Sequence, residues 1–594
     1  MHRFCLYLAM MGLCAGASAE KALVLVDNGA SPYRIVVPDD AAPNILFAAK
    51  ELQTFLSEIT GATLPILQES KASRGPAIYL GPCKRSERHI KKKELAALKE
   101  DGVLIKSAGK NLYLTGQNAR GQVYSVYVLL ERFMDVRFLT KDCNVVPKQA
   151  TLKLTPIHYA YSPSYMYREV LYADVFPKTV SARMRLNGPT NQCDDEIGGK
   201  VQFFPYVHSA NSLVPPDKYF ATHPEYYALS GGKRITGPVH AQLCWTNPDV
   251  LRIATEQVMK WIKDNPSAPI IDVSQNDGNG WCECDACKKV VDEEGSQHGP
   301  IMRFVNAIAD EVAKEYPDKW IETLAYAYAI KPGAITKPRP NVIIRLCHAG
   351  CYFHGFEKCD LGSHFAEYLN EWGQRTSRIF IWHYTTNFGH YLAPCQNLDG
   401  LARDLKYYAT HNVNGVMVQG DYQASGGELA DLRAYLSAQL LWDPSRDPIE
   451  VRSEFCKGYY GPAADAVLEF LAVMDEYARD PNLHAFANWD PTTTVRPDMV
   501  KRSLDILTRA RGLVQSPDHV NRVEKLMLPF WYMQLSAPDK YGLAPADAPA
   551  LVEDCRRVIQ ANGIVYVAEG PTTEGWLNDM TKRYGKVGET KPSK

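Results

Sequence analysis

Seven short apolar runs between residues 165 and 445 constrain this chain more than any other feature. They fall at 165–171, 201–207, 269–273, 321–327, 341–346, 378–383 and 413–418. Each has the length of a strand and is mainly apolar, as strands covered on both faces are. Amphipathic helices stand between several of them. Asn247-Pro248 caps one, with proline at its first position and Leu251, Ala254, Val258 and Trp261 on one stripe. Pro300 opens another, with Ile301, Phe304, Val305, Ile308 and Val312 in line. Parallel neighbours need such crossovers. This many β-then-α units predict an α/β fold with a (β/α)8 barrel over 161–445 rather than an open sheet. Only seven strands can be counted, so one is hidden or irregular. In a barrel the chemistry sits where the strands end and the following loops begin.

The whole chain of 594 residues is too long for one core. Residues 20–160 read as a separate α/β domain. Ala22 to Val26, Ala77 to Leu80 and Asn111 to Leu114 are strands. Ile45, Ala48, Leu52, Phe55, Leu56 and Ile59 recur at helical spacing up to Gly61. A second helix, Val123 to Phe133, follows a turn from Gly116 to Gly121, and Thr151 to Leu154 is a last strand. Residues 446–594 read as a helical C-terminal domain, with a strand only at Gly563 to Val567.

The first residues have the form of an export signal. Met1-His2-Arg3, an apolar run from Phe4 to Gly16 and the small residues Ala17-Ser18-Ala19 define a cleavable leader over 1–19. A bulky Leu13 ahead of Cys14 argues against a lipoprotein. No later stretch reaches the ~20 apolar residues of a membrane span, so the expected location is periplasmic or secreted, in a bacterial setting. With 66 Lys+Arg against 67 Asp+Glu the net charge is −1, which lacks the basic footprint of a nucleic-acid binder. The 33 tyrosines and 10 tryptophans offer ring faces that suit the C–H faces of sugars, although core packing claims most of them. Without Cys5 and Cys14 thirteen cysteines remain, an odd number, so at least one is free, metal-bound or shared between chains.

Polar residues gather at the inferred strand ends: Arg168 and Glu169, His208, Asn276 and Asp277, Tyr326, Arg345 and His348, Trp382, His383 and Tyr384, and beyond the last strand Glu428. Together they predict a polar cleft. Glycosidic cleavage needs a proton donor to the leaving oxygen and a second group that attacks or stabilises the oxocarbenium-like centre. Asp277, at the tip of the strand Pro269 to Val273, is the first candidate for the acid. Asn276 offers an amide for a substrate hydroxyl or N-acetyl group, and Glu428 is a candidate second carboxyl. The competing reading of Asn276-Asp277-Gly278 is a strand-ending turn, and that of Glu428 is a helix N-terminal acid. Trp281, Trp382 and Tyr384 suit stacking on sugars; packing explains them equally well. Cys282, Cys284 and Cys287 fit either a structural zinc or a disulfide. Cys244, His298 or Cys347 could supply a fourth zinc ligand, and Cys347, Cys351 or Cys359 a disulfide partner. No cofactor for catalysis is expected.

The stretch Val273 to Cys287, with Arg303-Phe304-Val305-Asn306 and Leu324-Ala325-Tyr326-Ala327-Tyr328, resembles the bacterial family known as domain of unknown function 4838. Pro215 to Phe220, His223 to Tyr226, Leu432 to Tyr435 and Leu441 to Pro444 carry the same resemblance, which spans 165–450. Residues 21–155 resemble the N-terminal domain of family 67 α-glucuronidases and family 20 β-hexosaminidases, with Asp135 where relatives often have glycine. The resemblance implies a glycoside hydrolase with a (β/α)8 barrel. Some members, classed in glycoside hydrolase family 163, are endo-β-N-acetylglucosaminidases acting on N-glycans. In the α-glucuronidases the acid lies at the end of barrel strand four, a position like that of Asp277.

The expectation is therefore an exported glycosidase acting on N-glycans or mucosal glycans. An exo-acting α-glucuronidase-like enzyme is the first alternative, favoured if Arg168 and Arg345 converge on the cleft. A glycan-binding protein without activity is the second.

Overall fold

The computed structural model describes residues 22–348, 350–361 and 363–585. The leader expected over 1–19 lies outside the described residues. Two compact units are present: Met1–Asp135 with Val146–Tyr161, and Val136–Val145 with Ser162–Lys594. The short hairpin of Arg137–Thr140 and Cys143–Val145 thus groups with the second unit.

The first unit is a six-stranded mixed sheet in the order His158–Tyr161, Val103–Ala108, Asn111–Gly116, Ala77–Leu80, Arg34–Val37, Ile66–Gln68. The helices Pro43–Thr60 and Ala119–Phe133 pack together beside it. The first buries Ile45, Ala48, Leu52, Phe55, Leu56 and Ile59 and ends at Gly61, whose φ of 78° suits a left-handed cap. The second begins about one helical turn earlier than its apolar stripe predicts, because the Asn118 side chain accepts from the Gly121 amide and caps it. Gly116 and Gly121 are contact residues: a Cβ on Gly116 would stand 2.1 Å from the Gly121 carbonyl carbon.

The second unit is built on seven parallel strands: β1 (Tyr167–Leu171), β2 (Phe203–Phe204), β3 (Ile270–Asp272), β4 (Trp320–Ala325), β5 (Val342–Cys347), β6 (Ile379–Tyr384) and β7 (Val413–Gln419). Their order is β1-β7-β6-β5-β4-β3-β2. The sheet curls, and alternate residues divide it. Tyr167, Phe203, Ile270, Leu324, Ile343, Phe380 and Met417 form an inner cluster. Val170, Ile271, Ile321, Ile344, Ile381 and Val416 join the outer core with the helices. The edge strands β1 and β2 approach one residue from either side. The Asn187 amide donates to the Arg168 carbonyl at 3.0 Å, and the Asn187 carbonyl accepts from Val201 at 2.8 Å. The alternation of strand and helix lapses between β4 and β5, where only the 3-10 turn Ala327–Ala329 intervenes.

Beyond Ala430–Trp442 the chain is helical, and Pro448, Pro497 and Pro517 open three of its helices. The strand expected at 563–567 is absent; only an isolated bridge joins Tyr566 and Thr572. Among the described residues no helix is long and apolar enough to cross a membrane.

Candidate active site

A cavity of about 740 Å³ opens at the carboxyl ends of the strands. Six of the expected site residues line it: His208, Asp277, Tyr326, His348, Trp382 and Tyr384.

Asp277 owes its position to a backbone clamp. After β3 the chain is tied down residue by residue. Ser274 donates to the Asp272 carboxylate at 2.8 Å, and Gln242 accepts from the Asn276 amide at 2.9 Å and donates to the Asn276 carbonyl at 3.0 Å. The His240 amide donates to the Asp277 carbonyl at 2.8 Å. His240 passes so close that a Cβ on Gly280, whose φ is 86°, would stand 2.0 Å from the His240 carbonyl oxygen. Gly280→Ala is expected to dislodge this loop and lower activity at least tenfold. Steady-state kinetics beside a thermal melt would check it.

The half-buried Asp277 accepts at Oδ1 from the Tyr326 hydroxyl at 2.9 Å. Burial, then the neighbouring Asp277, push the Tyr326 phenol upward, so it stays a donor. A second carboxylate in the lining, Glu569, comes from the loop before the helix Thr573–Tyr584. It accepts from the Tyr422 hydroxyl at 2.8 Å. Sequence patterning gave no signal for it, because it follows no strand.

The walls are aromatic. Trp382 donates from Nε1 to Gln419 at 2.6 Å, which fixes the indole, and Tyr384 stacks on Tyr352 with centroids 6.4 Å apart. Phe176, Tyr206, Phe388, Tyr422 and Phe486 add to the surface. Among the described residues no lysine or arginine lines the cavity.

Seven expected site residues lie elsewhere. Asn276 is 2% exposed, and its amide is spent on Asn211 at 3.0 Å and the Ala241 carbonyl at 2.7 Å. Glu428 is buried in an ion pair with Arg433 at 2.7 Å. Arg168 points away from the inner cluster, donating to the Arg185 and Tyr165 carbonyls with its guanidinium over Trp442. Glu169 is buried beneath the cavity, accepting from the Tyr167 and Tyr206 hydroxyls and the Thr190 amide. Arg345, also beneath it, lies 4.5 Å over Phe203 and 2.9 Å from Glu322. His383 faces outward to the Tyr408 hydroxyl at 3.0 Å. Trp281 packs 5.7 Å from Tyr328 outside the lining.

His348 stacks on His383 at 4.7 Å. Burial lowers the His348 imidazole to about 3, so at neutral pH it is uncharged. Burial pushes the Glu322 carboxyl well above its usual range despite Arg345, with Asp272 adding to the rise.

The cysteine motif gathers a fourth thiol. The sulfurs of Cys244, Cys282, Cys284 and Cys287 lie within 4.8 Å of one another, with Cys244 3.6 Å from Cys284 and 3.9 Å from Cys287. Ligands about 2.3 Å from a tetrahedral zinc stand about 3.8 Å apart, so this set fits a metal ion. The other two candidate fourth ligands are elsewhere: His298 meets the Leu324 carbonyl and Cys347 lines the cavity.

Comparison with known proteins bears on all of this. No curated protein sequence matches the chain significantly. Residues 24–129 match the profile of the glycosyl hydrolase family 67 N-terminus. Among solved structures, the chain resembles a family GH115 4-O-methyl-α-glucuronidase, BtGH115A, described as specific for decorated arabinogalactans. The TM-score is 0.60 at 11% identity, over 96% of this chain and 81% of that one. This likeness supports a shared fold. A Flavobacterium johnsoniae chitobiase aligns at TM-score 0.43 and 11% identity, over 91% and 95% of the two chains. That similarity is too low to carry an argument. Residues 138–472, more than half of the chain, match the profile described as domain of unknown function (DUF4838), and the chain belongs to that family.

Proposed function

We propose that the chain is a glycoside hydrolase with Asp277 as its acid and Glu569 as the opposing carboxylate. The observation that carries this reading is the presence of both carboxylates, each fixed by a tyrosine hydroxyl, in one aromatic-walled cavity at the strand ends. Tyr326 occupies Oδ1 of Asp277 and leaves Oδ2 for the glycosidic oxygen. Proton delivery there, with charge stabilisation from Glu569, supplies the two functions that glycosidic cleavage needs. The Asn276 and Glu428 roles considered from sequence are replaced by this pair, because neither side chain reaches the cavity.

The fold reading that goes with it is a barrel of eight strands, with the segment around Asn187 as an irregular second strand between β1 and β2. Asp277 then follows strand four. The match of residues 24–129 to a glycosyl hydrolase N-terminal domain supports the same class.

The substrate we infer is a neutral glycan containing N-acetylglucosamine, of the N-glycan or mucosal type, cleaved internally by an exported enzyme. Among the described residues, a lining without lysine or arginine suits neutral sugars better than a glucuronic acid, whose carboxylate needs a cationic partner. Trp382 and Tyr384 are the stacking surfaces. The Cys244, Cys282, Cys284 and Cys287 set is proposed to hold a structural zinc. It ties the chain just after Gln242 to the chain just after Asp277, the two segments that form the clamp.

The test is digestion of a glycopeptide bearing a processed N-glycan, read by mass spectrometry. Internal cleavage leaves one N-acetylglucosamine on the peptide. Stepwise loss of terminal residues would replace the internal reading with an exo-acting one, and glycan capture without any product would refute hydrolysis.

A further inference from the structure

A second group of metal-ligating side chains stands apart from the cysteine cluster and from the carboxylates. Cys351, His354, Cys359 and His484 place two sulfurs and two imidazole nitrogens within 4.8 Å of one another. Cys351 Sγ lies 3.6 Å from His354 Nδ1, and Cys359 Sγ lies 3.6 Å from His484 Nδ1. Tetrahedral zinc with sulfur at about 2.3 Å and nitrogen at about 2.0–2.1 Å requires a sulfur-to-nitrogen separation of about 3.6 Å. Both pairs meet it.

The tautomer is also set. His354 Nε2 lies 3.0 Å from the Asp480 backbone carbonyl, an acceptor only, so Nε2 carries the hydrogen. Nδ1 is left with its lone pair directed at the cysteine sulfurs. An imidazole fixed by a carbonyl on its far nitrogen is the usual outer support of a metal-bound histidine. Both thiols are buried, Cys351 at 0% and Cys359 at 4% exposure, and neither is in a disulfide.

We propose that these four residues bind a zinc-class divalent ion that clasps two distant segments into one wall of the cavity. Three ligands lie on the chain after β5. The fourth arrives more than a hundred residues later, between the helices Ala464–Ala478 and Pro497–Gly512. The residues flanking the ligands form the wall: Tyr352 follows Cys351, and Phe486, Ala487 and Asn488 follow His484. The Tyr352 amide donates to the Ala485 carbonyl at 2.9 Å and the Phe388 amide to the Ala487 carbonyl at 2.8 Å, so the clasped segment is paired at both ends of the wall. The ion's role is structural, since all four positions around it are taken by protein. The proposal concerns metal binding and wall order and stands whether or not the cavity hydrolyses glycans.

The experiment uses the full chain and elemental analysis by plasma mass spectrometry. Wild type is expected to hold two zinc ions per chain. His484→Ala and Cys359→Ser are each expected to hold one, with faster hydrogen exchange over 480–489. Cys284→Ser tests the other site and should leave exchange over 480–489 unchanged. Should a variant fail to fold, X-ray absorption on wild-type zinc decides: two filled sites give six sulfurs and two nitrogens, a 3:1 ratio. An all-sulfur shell, zinc content unaffected in a folded His484→Ala variant, or a Cys351–Cys359 disulfide in the native protein would each overturn the proposal.

Discussion

Asp277→Asn is expected to lower kcat/KM on a cleavable glycan by about 10²–10⁴-fold, the usual contribution of a positioned acid–base group. The drop should fall on kcat, because the proton moves only in the transition state. Asparagine keeps an oxygen that can accept from the Tyr326 hydroxyl, now 2.9 Å from Oδ1, so the loop clamp survives. Stability should therefore change by no more than about 0.5 kcal/mol, as for substitutions that disturb no buried partner. Kinetics and a thermal melt on one preparation separate the two effects. A loss confined to KM would make Asp277 a binding group. Glu569→Gln should also lower kcat, and its combination with Asp277→Asn should be less than additive, since the two act on one event.

Arg345→Met is expected to have the largest effect on stability, about 3–5 kcal/mol at a pH where Glu322 is ionised, the range for removing one partner of a buried charge pair. Arg345 and Glu322 are both fully buried, and Nε stands 2.9 Å from Oε1 without the alignment of a hydrogen bond. The guanidinium is held by proximity to Glu322 and by the faces of Phe203, Tyr206 and Trp382. Without it, Glu322 and Asp272 share a dry interior. The pH dependence follows from the raised Glu322 carboxyl. The folded chain keeps a proton that the unfolded chain releases above about pH 4.3, so the folded state binds more protons and stability falls as pH rises through that window. The loss of Arg345 removes the one opposing charge and steepens the fall. Urea midpoints at pH 5 and pH 8 would show the variant's deficit larger at pH 8. An unchanged midpoint would contradict a stabilising role for Arg345 beside Glu322.

The strands were legible because parallel strands buried on both faces write themselves as mainly apolar runs, and each of the seven expected runs overlaps an observed strand. The irregular passage at Asn187 was not, since a single asparagine bridging two edges has no apolar pattern. Within the site, side-chain parity separates the expected residues that line the cavity from those that do not. Trp382 and Tyr384 share the inner face of β6, whereas His383 between them points to Tyr408. Arg168 lies between Tyr167 and Glu169 on β1 and for the same reason turns outward to Trp442. Arg345 has the correct parity but stops two residues short of the strand end, which puts it in the packed layer beneath the cavity. Parity was available from the sequence; depth was not. Glu569 and His484 are brought in by loops of the helical region, more than a hundred residues from the segments they meet. No local pattern announces a partner at that distance. The motif Cys282, Cys284 and Cys287 was visible, while the choice of Cys244 over His298 or Cys347 required the fold.

The account rests on hydrolysis at a single cavity in which Asp277 delivers the proton. Digestion of an N-glycosylated peptide in ¹⁸O-water, with wild type and Asp277→Asn in parallel, tests it most directly. Wild type is predicted to release a glycan whose new reducing end carries one ¹⁸O, and the variant to release almost none in the same time. Equal labelled product from both proteins would contradict the assignment of Asp277, and no labelled product from wild type on any neutral N-acetylglucosamine-containing glycan would contradict the proposed reaction itself.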